Sequence, residues 1–308
     1  MNYHVPVLLN ESISGLSIKP TGTYIDLTFG GGGHTKYILK LLKKKGKLFS
    51  FDTDADSFKI NSINGNNNFE FIDGNFRYFD LHLKQRGIKK VDGIFADLGV
   101  SSHQINTLSR GFSYKGRAEL DMRMNSNNKK NAQTILNDYN ENDLDKLFFN
   151  YGDFKNSRLI AKNIVEYRKK KKIKYNSDLI EILNNLFDKN VNFKFLSRLF
   201  QSIRIEVNDE INALKEMLLK SKHFLKIKGR LVIISYHSIE DRIVKNFINK
   251  SNFDSTFKTD FYGNKKIFFK SINKKPLVPS EEEIKINPRS RSAKLRIGEL
   301  IWTNHRKY

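Results

Sequence analysis

The sequence predicts an α/β protein whose parallel sheet is interrupted by an inserted all-helical domain. Short apolar, β-prone runs alternate with helical patterns over residues 24–96, and a further apolar strand pattern appears at 230–236. Between them, over residues 109–204, apolar residues recur at helical spacing. Strands that alternate with helices form parallel sheets with ligands at their carboxyl ends. We therefore expect a sheet domain of residues 1–108 and 205–308 and a helical domain of residues 109–204.

The composition is that of a globular protein. The chain has 308 residues, of which 39% are hydrophobic and 12% aromatic, enough for a sizeable core. It has no cysteine, which excludes a thiol nucleophile, a disulfide framework and a cysteine zinc site and fits a reducing compartment. The sequence shows neither a secretory leader pattern nor an apolar run of membrane-spanning length. We expect a soluble cytoplasmic protein with no membrane partner.

The charge favours a polyanionic partner. At a net charge of +22, nucleic acid is a better match than a small neutral metabolite. Lysine, asparagine and isoleucine are used heavily throughout, and A/T-rich codons specify these same residues. The charge therefore supports a nucleic-acid substrate without proving one.

The first strand and the loop after it predict a nucleotide-type ligand site. A short helix in the first twenty residues precedes an apolar run from Tyr24 to Phe29, the glycines Gly30 to Gly33, and a helical pattern that opens at His34. A glycine backbone lets a ligand approach closely, and a helix start presents unpaired N–H groups and partial positive charge. The sequence thus predicts a strand, a tight loop and a helix around a bound ligand.

An acidic residue strengthens this prediction. The second strand, 47–51, ends at Asp52, about 20 residues past the glycines, where a carboxylate reaches ribose hydroxyls in doubly wound folds. The dinucleotide pattern G-x-G-x-x-G is not met, because Thr35 stands where the third glycine is needed. An NAD-dependent oxidoreductase is disfavoured for this reason.

The remaining elements of the first half place more side chains at strand ends. A helix near 55–63, a third strand at 69–72, a helix over 78–86 and a fourth strand at 91–96 are expected in turn. Asp52, Phe76 and Asp97 then all follow the carboxyl ends of strands, where the ligand is expected.

The helical insertion carries a basic run from Arg168 to Lys174. Two interpretations remain open: a solvated helix end, or a contact with phosphates.

After the insertion the sheet pattern resumes. We expect a helix over 211–225 that Lys226 to Gly229 close, and a strongly apolar fifth strand over 230–236. His237 and Ser238 follow this strand and precede a helix over 239–248. Residues 265–272 and 293–301 are predicted to form a terminal antiparallel pair.

Six motifs, in one order along nearly the whole chain, resemble the RsmH (MraW) family. They are T-F-G-G-G-G-H at Thr28–His34, D-L-G-V-S-S at Asp97–Ser102, R-G-F-S at Arg110–Ser113, L-D-M-R-M at Leu120–Met124, S-Y-H-S-I-E-D-R-I-V-K at Ser235–Lys245, and N-P-R-S-R-S at Asn287–Ser292. The family's members are S-adenosylmethionine-dependent methyltransferases that modify the N4 atom of a cytosine in 16S ribosomal RNA. The resemblance implies a class I (Rossmann-like) methyltransferase sheet with an inserted helical substrate-recognition domain.

The resemblance also implies the cofactor site. S-adenosylmethionine would lie against Gly32, Gly33 and His34 with its methionine part, Asp52 with its ribose and Phe76 with its adenine, while Asp97 and Gln104 would complete the pocket. Gly31 departs from the family, which often has a larger residue there. The implied partner is 16S ribosomal RNA, within the assembled small subunit; a homodimer is left open.

The chemistry of the transfer leaves the catalytic residues open. A cytosine amino group is a poor nucleophile, because its lone pair is delocalised into the ring, so hydrogen-bond acceptors must orient it and take its proton. Many amino-methyltransferases place a Pro-Pro-aromatic run after strand four, whereas this chain has Asp97-Leu98-Gly99-Val100. Asp97 is the acidic candidate, and His237 and Ser238 are candidate proton acceptors or base contacts.

Without that run, another aromatic side chain must stack on a flipped base. Tyr236, Phe112 and Tyr114 are candidates, although each is equally explained by packing.

Three alternatives share part of these features. An NAD-dependent oxidoreductase would share the glycine loop, a non-enzymatic RNA-binding module would share the charge, and a DNA amino-methyltransferase would share the chemistry. The missing third glycine disfavours the oxidoreductase, and the acids at three strand ends disfavour a module that only binds RNA. The missing Pro-Pro-aromatic run disfavours the DNA methyltransferase.

Overall fold

The structure is a computed structural model that describes residues 6–54, 57, 63, 66–187, 191–257, 263 and 265–302. The chain divides into two compact units, one of residues 1–99 with 212–308 and the other of residues 100–211. The second unit begins at residue 100 and not at 109, and it ends at residue 211 and not at 204, so it is longer at both ends than the sequence predicts. Asn208 explains the later end, because its side chain bonds Met122 and Met124 of the helical unit.

The first unit is built on a parallel sheet with an antiparallel edge. In the described residues the strand order is β3-β2-β1-β4-β5-β7-β6. Strands β1 to β5 pair in parallel, and β7 pairs antiparallel with both β5 and β6. The strands are β1 (Thr23–Asp26), β2 (Lys47–Asp52), β3 (Phe69–Asp73), β4 (Val91–Asp97), β5 (Leu225–Ser235), β6 (Phe269–Ser271) and β7 (Lys294–Leu300). The predicted parallel sheet and terminal antiparallel pair are confirmed.

Helices cover this sheet. They are Leu9–Leu16, Gly33–Leu41, Phe79–Gln85, Glu210–Phe224, Ser238–Lys250 and Glu281–Ile286, with short 3-10 turns at Phe76–Tyr78 and Pro288–Ser292. The first helix lies close to the sheet, since a side chain on Gly15 would come within 2.8 Å of Ile297 Cδ1. The helix predicted in the first twenty residues is thus confirmed. The helix predicted near 55–63 lies outside the described residues, apart from Ser57 and Ile63.

The start of β5 differs from the prediction. Lys226 to Gly229 were expected to close a helix, but the helix ends at Phe224 and β5 begins at Leu225. Leu225 is fully buried and pairs with Val91, and the register then shifts before Gly93 pairs with Arg230. Lys228 takes a left-handed φ of +65° at this irregularity. Pairing with β4 therefore overrides a local helix-end pattern.

The second unit is helical, as predicted. Its helices are Ser102–Asn106, Ala132–Asp138, Glu141–Gly152, Ser157–Lys170, Asn176–Leu186 and Phe193–Asn208, with a 3-10 turn at Leu108–Arg110. Their apolar faces form one buried cluster that includes Leu144, Phe148 and Ile203. Asparagines begin several of these helices: Asn131, Asn140 and Asn192 each accept a hydrogen bond from a backbone N–H of the first turn.

Among the described residues, no helix has both the length and the apolar character that crossing a membrane requires.

Candidate active site

The site lies where the strand order of the sheet reverses. Strands β1 and β4 are neighbours, although β2 and β3 lie on one side and β5 on the other. Ligands of open parallel sheets bind in the crevice at the carboxyl ends of strands at such a point. Asp26 ends β1, Asp97 ends β4, and the glycine loop follows β1.

The glycine loop is held in a conformation that glycine favours. Gly30 and Gly32 have φ values of +50° and +69°. The Gly32 N–H donates to the Phe29 carbonyl oxygen at 2.7 Å, and the Gly33–Leu41 helix begins directly afterwards. A side chain on Gly33 would come within 2.3 Å of Pro6 Cγ, whereas one on Gly31 would meet nothing within 4 Å. Within the loop, Gly31 thus faces open space and Gly33 is closely packed.

Asp52 fastens this loop to the second strand. Its Oδ2 accepts a hydrogen bond from the Gly30 N–H at 2.8 Å, and its Oδ1 accepts one from the Asp54 N–H at 2.9 Å. Burial raises the pKa of Asp52, while these two bonds oppose the rise. The Ser57 hydroxyl also donates to Asp52, which leaves about one of the roughly four acceptor positions of a carboxylate for a ligand hydroxyl.

Asp26 is a site residue that the sequence analysis missed. It is fully buried and accepts hydrogen bonds from the Thr35 hydroxyl at 2.6 Å and the Thr28 N–H at 3.1 Å. Burial raises its pKa to about 6, against the effect of those hydrogen bonds. The available signal was an acid within the apolar run of β1, which is costly unless it has a role.

Asp97 is bonded to residues that follow both neighbouring strands, β1 and β5. Its backbone N–H donates to Thr28 Oγ1 at 2.6 Å, and its Oδ1 accepts from the Tyr236 hydroxyl at 2.8 Å. Burial raises its pKa to about 7, the Tyr236 hydrogen bond lowers it, and the charges of Asp26 and Glu240 raise it further. A quarter of the side chain, 24%, is still exposed, so the carboxyl group is accessible.

His34 lies beside Asp97 at the start of the helix. Its Nε2 lies 3.0 Å from the Val7 carbonyl oxygen, an atom that can only accept, so Nε2 carries the proton. Its Nδ1 lies 4.0 Å from Asp97 Oδ2, and its ring packs on Phe95 with centroids 4.4 Å apart. The ring is therefore fixed, and its Nδ1 lies on the side of Asp97.

His237 begins the Ser238–Lys250 helix. Its Nδ1 accepts from the Glu240 N–H at 3.4 Å, and its Nε2 lies 3.2 Å from Glu240 Oε1. The predicted proton acceptor is thus engaged as a helix cap, while Ser238, the next residue, is exposed. Their catalytic roles stay predictions. Tyr236, a candidate for base stacking, has its hydroxyl committed to Asp97.

Phe76 and Gln104 complete the predicted cofactor set. Phe76 is half-buried and starts the 3-10 turn that comes shortly after β3. Gly74, the first residue after β3, donates its N–H to the Asp52 carbonyl oxygen at 2.9 Å. The turn thus follows the strand that pairs with the Asp52 strand. Gln104 belongs to the helical unit and is buried there, where it forms a capping box with Ser101. The pattern S-x-x-Q predicts this box.

The aromatic candidates of the helical unit have packing partners. Phe112 packs against the helical core and lies 6.0 Å from the Arg110 guanidinium. Tyr114 packs on the same core and stacks on Phe193, with centroids 6.1 Å apart.

The basic run of this unit is partly engaged. Lys169, Lys171 and Lys174 pair with acids at 2.7, 2.8 and 3.0 Å, and Arg168 donates to the Leu136 carbonyl oxygen at 2.8 Å. The pairs of Lys169 with Glu166 and of Lys174 with Glu119 are exposed and therefore weak, so a phosphate can compete with these two acids. Phosphate contact by the run stays a prediction.

Three carboxyl groups lie at the carboxyl ends of neighbouring strands and are called here the acidic edge. They belong to Asp26, Asp52 and Asp97, which end β1, β2 and β4. A ligand with a sulfonium and an ammonium group gains from these acids, whereas the pyrophosphate of a dinucleotide is repelled by them. The geometry thus fits S-adenosylmethionine better than NAD.

Comparison with known proteins identifies the family of the chain. The model of the MraW methylase family matches residues 1–301. The ribosomal RNA small subunit methyltransferase H of Flavobacterium johnsoniae is 50% identical over 98% of this chain and 99% of its own, and that of Christiangramia forsetii is 49% identical over the same shares. Among solved structures, an rRNA methylase from Streptococcus thermophilus aligns with a TM-score of 0.45 at 12% identity, over 97% of this chain and 99% of that one. The chain belongs to the MraW methylase family, whose methyl donor is S-adenosylmethionine.

Proposed function

We propose that this protein transfers a methyl group from S-adenosylmethionine to the N4 amino group of a specific cytosine in 16S ribosomal RNA of the small subunit. The observation that carries the proposal is the acidic edge at Asp26, Asp52 and Asp97, in a chain half identical to proteins named as small-subunit ribosomal RNA methyltransferases. Such a substrate places the protein in the cytoplasm.

The glycine loop and the acids divide the cofactor between them. Gly32, Gly33 and His34 lie against the methionine part of the cofactor, and the Gly33 N–H at the start of the helix binds its carboxylate. Asp52 accepts a ribose hydroxyl with the acceptor position that its bonds from Gly30, Asp54 and Ser57 leave. Phe76 lies against the adenine, and the part of Gln104 in cofactor binding stays a prediction. When bound, the cofactor supplies an electrophilic methyl group.

Asp26 adds a role that the sequence analysis lacked. Its carboxyl group is buried at the end of β1 with a pKa of about 6. A cationic ligand at this edge favours the ionised form of Asp26, so the acid contributes binding energy once the site is filled.

Asp97 accepts the proton of the target amino group. Its pKa of about 7 suits a general base near neutral pH. Tyr236 fixes one carboxylate oxygen, and the other, Oδ2, faces His34 Nδ1. His237 and Ser238 directly follow Tyr236 and orient the base. His237 does not take the proton through Nδ1, because that atom already accepts from the Glu240 N–H.

The cations of the carboxyl-terminal segment contribute unequally to RNA binding. Arg289 and Arg291 are exposed and suit phosphate contacts. Arg296 is only 7% exposed, and its guanidinium donates to Asp241 Oδ1 at 2.5 Å. Arg296 therefore forms a structural ion pair and is not assigned a phosphate contact.

Labelled cofactor tests the proposed function. We expect methylation of small subunits that lack the modification, at the N4 atom of one cytosine, when the modified base is mapped by mass spectrometry. Free 16S RNA and double-stranded DNA are incubated in parallel, and NAD is titrated by calorimetry. Label in DNA alone, or on a different base, would refute the proposal, as would tighter binding of NAD.

Substitution of Asp97 tests its role. Asp97→Ala should abolish methyl transfer while the circular dichroism spectrum stays unchanged. Asp73, which ends β3 and is exposed, supplies the matched control: Asp73→Asn should retain full activity. Near-normal turnover by Asp97→Ala would reject the assignment of the proton acceptor.

A further inference from the structure

The helical unit carries an exposed aromatic surface, made of Phe193, Tyr114 and Tyr175 and called here the Phe193 surface. Phe193 begins the Phe193–Asn208 helix with 72% of its surface exposed. Its ring stacks on Tyr114 with centroids 6.1 Å apart and planes inclined by 26°. Behind Tyr114 lies the buried Phe200, at 5.9 Å in an edge arrangement. One face of the stack is thus anchored in the core while Phe193 stands outward.

The loop that carries Tyr114 is fixed by a buried amide. Asn176 donates through Nδ2 to the carbonyl oxygens of Ser113 and Gly116, at 3.1 and 2.8 Å. Its Oδ1 accepts from the Ala118 N–H at 3.1 Å. These three bonds hold both ends of the loop, so Tyr114 is positioned before any ligand arrives and little ordering entropy is lost on binding.

Cations accompany the aromatic rings. The Arg117 guanidinium lies 4.2 Å from the centroid of the Tyr175 ring, and Lys115 and Lys194 adjoin Tyr114 and Phe193 along the chain. All three cations are exposed. Lys174 also lies over the Tyr175 ring, at 5.3 Å, and pairs with Glu119 at 3.0 Å.

We propose that the Phe193 surface binds single-stranded RNA, with an unpaired base stacked on Phe193 and the adjoining phosphates held by Arg117, Lys115 and Lys194. The inference rests on the proposed function, whose substrate is RNA. Aromatic rings interleaved with cations are the arrangement by which proteins hold single strands, because every base has a face to stack and every nucleotide a charge to neutralise.

A protein partner fits this surface less well. An exposed phenylalanine that docks into a protein is typically surrounded by uncharged side chains at the centre of the contact. Phe193 instead adjoins Lys194, and its stacking partner Tyr114 adjoins Lys115, within a chain of net charge +22. Charge complementarity therefore favours a polyanion.

A fluorescent RNA tests the inference. The probe is a short unstructured RNA with one 2-aminopurine, whose emission falls when the base stacks, titrated into the full-length protein. Phe193→Ala should weaken binding roughly five- to a hundredfold and remove the quenching. Phe193→Trp should retain both. Phe149, 61% exposed on another helix of the same unit, supplies the control, and Phe149→Ala should bind as the unsubstituted protein does.

The salt dependence separates stacking from charge. Phe193→Ala should lower affinity at every salt concentration and leave the slope of log affinity against log salt unchanged. Arg117→Gln should reduce that slope by about 0.7, the value for one phosphate on a single strand. Equal binding of the RNA by Phe193→Ala and Phe149→Ala would overturn the proposal. So would weaker binding of Phe193→Ala to small subunits but not to RNA, because that result indicates a protein partner.

The two proposals fail separately. Binding of the probe is measured without methyl transfer, so a protein that methylates small subunits but shows no effect of Phe193→Ala refutes only the Phe193 surface. A protein that binds the probe through Phe193 but methylates no ribosomal RNA refutes only the proposed function.

Discussion

Removal of one hydroxyl group should move the pH dependence of methyl transfer. The Tyr236 hydroxyl donates to Asp97 Oδ1 at 2.8 Å, and this bond lowers the pKa of Asp97 against the effect of burial. Tyr236→Phe deletes the donor and keeps the ring, so any stacking by the ring is preserved. The pKa of Asp97 should therefore rise above its value of about 7, and the base should be protonated at neutral pH.

The size of the effect follows from the hydrogen bond. A hydrogen bond to a charged group contributes about 1.5–3 kcal/mol, and one pKa unit corresponds to about 1.4 kcal/mol. The inflection of the pH–rate profile should thus move upward by roughly one to two pH units. At pH 7 the variant should be about five- to fiftyfold slower, and its rate should recover in alkaline solution. The pKa of Tyr236 itself lies well above 10, so the unsubstituted tyrosine stays a donor throughout.

The assay is kcat/KM for S-adenosylmethionine between pH 5.5 and 9.5 with saturating small subunits, since this parameter reports the pKa values of the enzyme before the cofactor binds. Tyr24→Phe is the matched control. Its hydroxyl accepts from the Lys19 N–H at 2.7 Å, at the opposite end of β1, and its loss should leave the profile unchanged. An unchanged or acid-shifted inflection for Tyr236→Phe would refute the role of this bond.

Three further outcomes follow from the same site. Gly33→Ala should lower the free energy of unfolding by about 1–3 kcal/mol in urea titrations, because its Cβ would lie 2.3 Å from Pro6 Cγ. Gly31→Ala should not lower it, because a Cβ at Gly31 would meet nothing within 4 Å. An equal loss of stability in both variants would contradict this account of the packing. Asp26 should make stability fall as pH rises from about 4 to 6, by roughly 3 kcal/mol, because the native state keeps a proton that the unfolded chain has lost. Asp26→Asn should flatten that part of the stability profile, and a profile as steep as before would assign the dependence elsewhere. RNA affinity should fall steeply with salt, and a flat response in filter binding would mean that the charge of +22 is compositional.

Much of the sheet unit was predictable, because the secondary structure that its local sequence patterns favour is also the one that strand pairing requires. The glycine loop, β2 and β4 occupy their predicted positions, since buried apolar runs followed by turn residues have few other solutions. The start of β5 was not predictable, because Lys226 to Gly229 resemble a helix end and only pairing with β4 makes them strand.

The site was predictable where residue type determines the role. The strand-end position of Asp52 and Asp97 could be inferred from the order of strands, because strand ends gather at one edge. The cap formed by His237 could not, because a histidine rarely serves there and its role depends on the position of Glu240. Asp26 was overlooked, since an acid inside an apolar run counts against a strand until its partner Thr35 is known.

The position of the helical unit between β4 and β5 has a consequence for biosynthesis. Residues 100–211 are contiguous, so β4, buried along almost its full length in the folded protein, waits for its partner β5 while they are synthesised. At ordinary translation rates this wait lasts on the order of ten seconds. An open, apolar strand edge is then exposed on the nascent chain, which makes the newly made protein a natural client for chaperones that shield such edges.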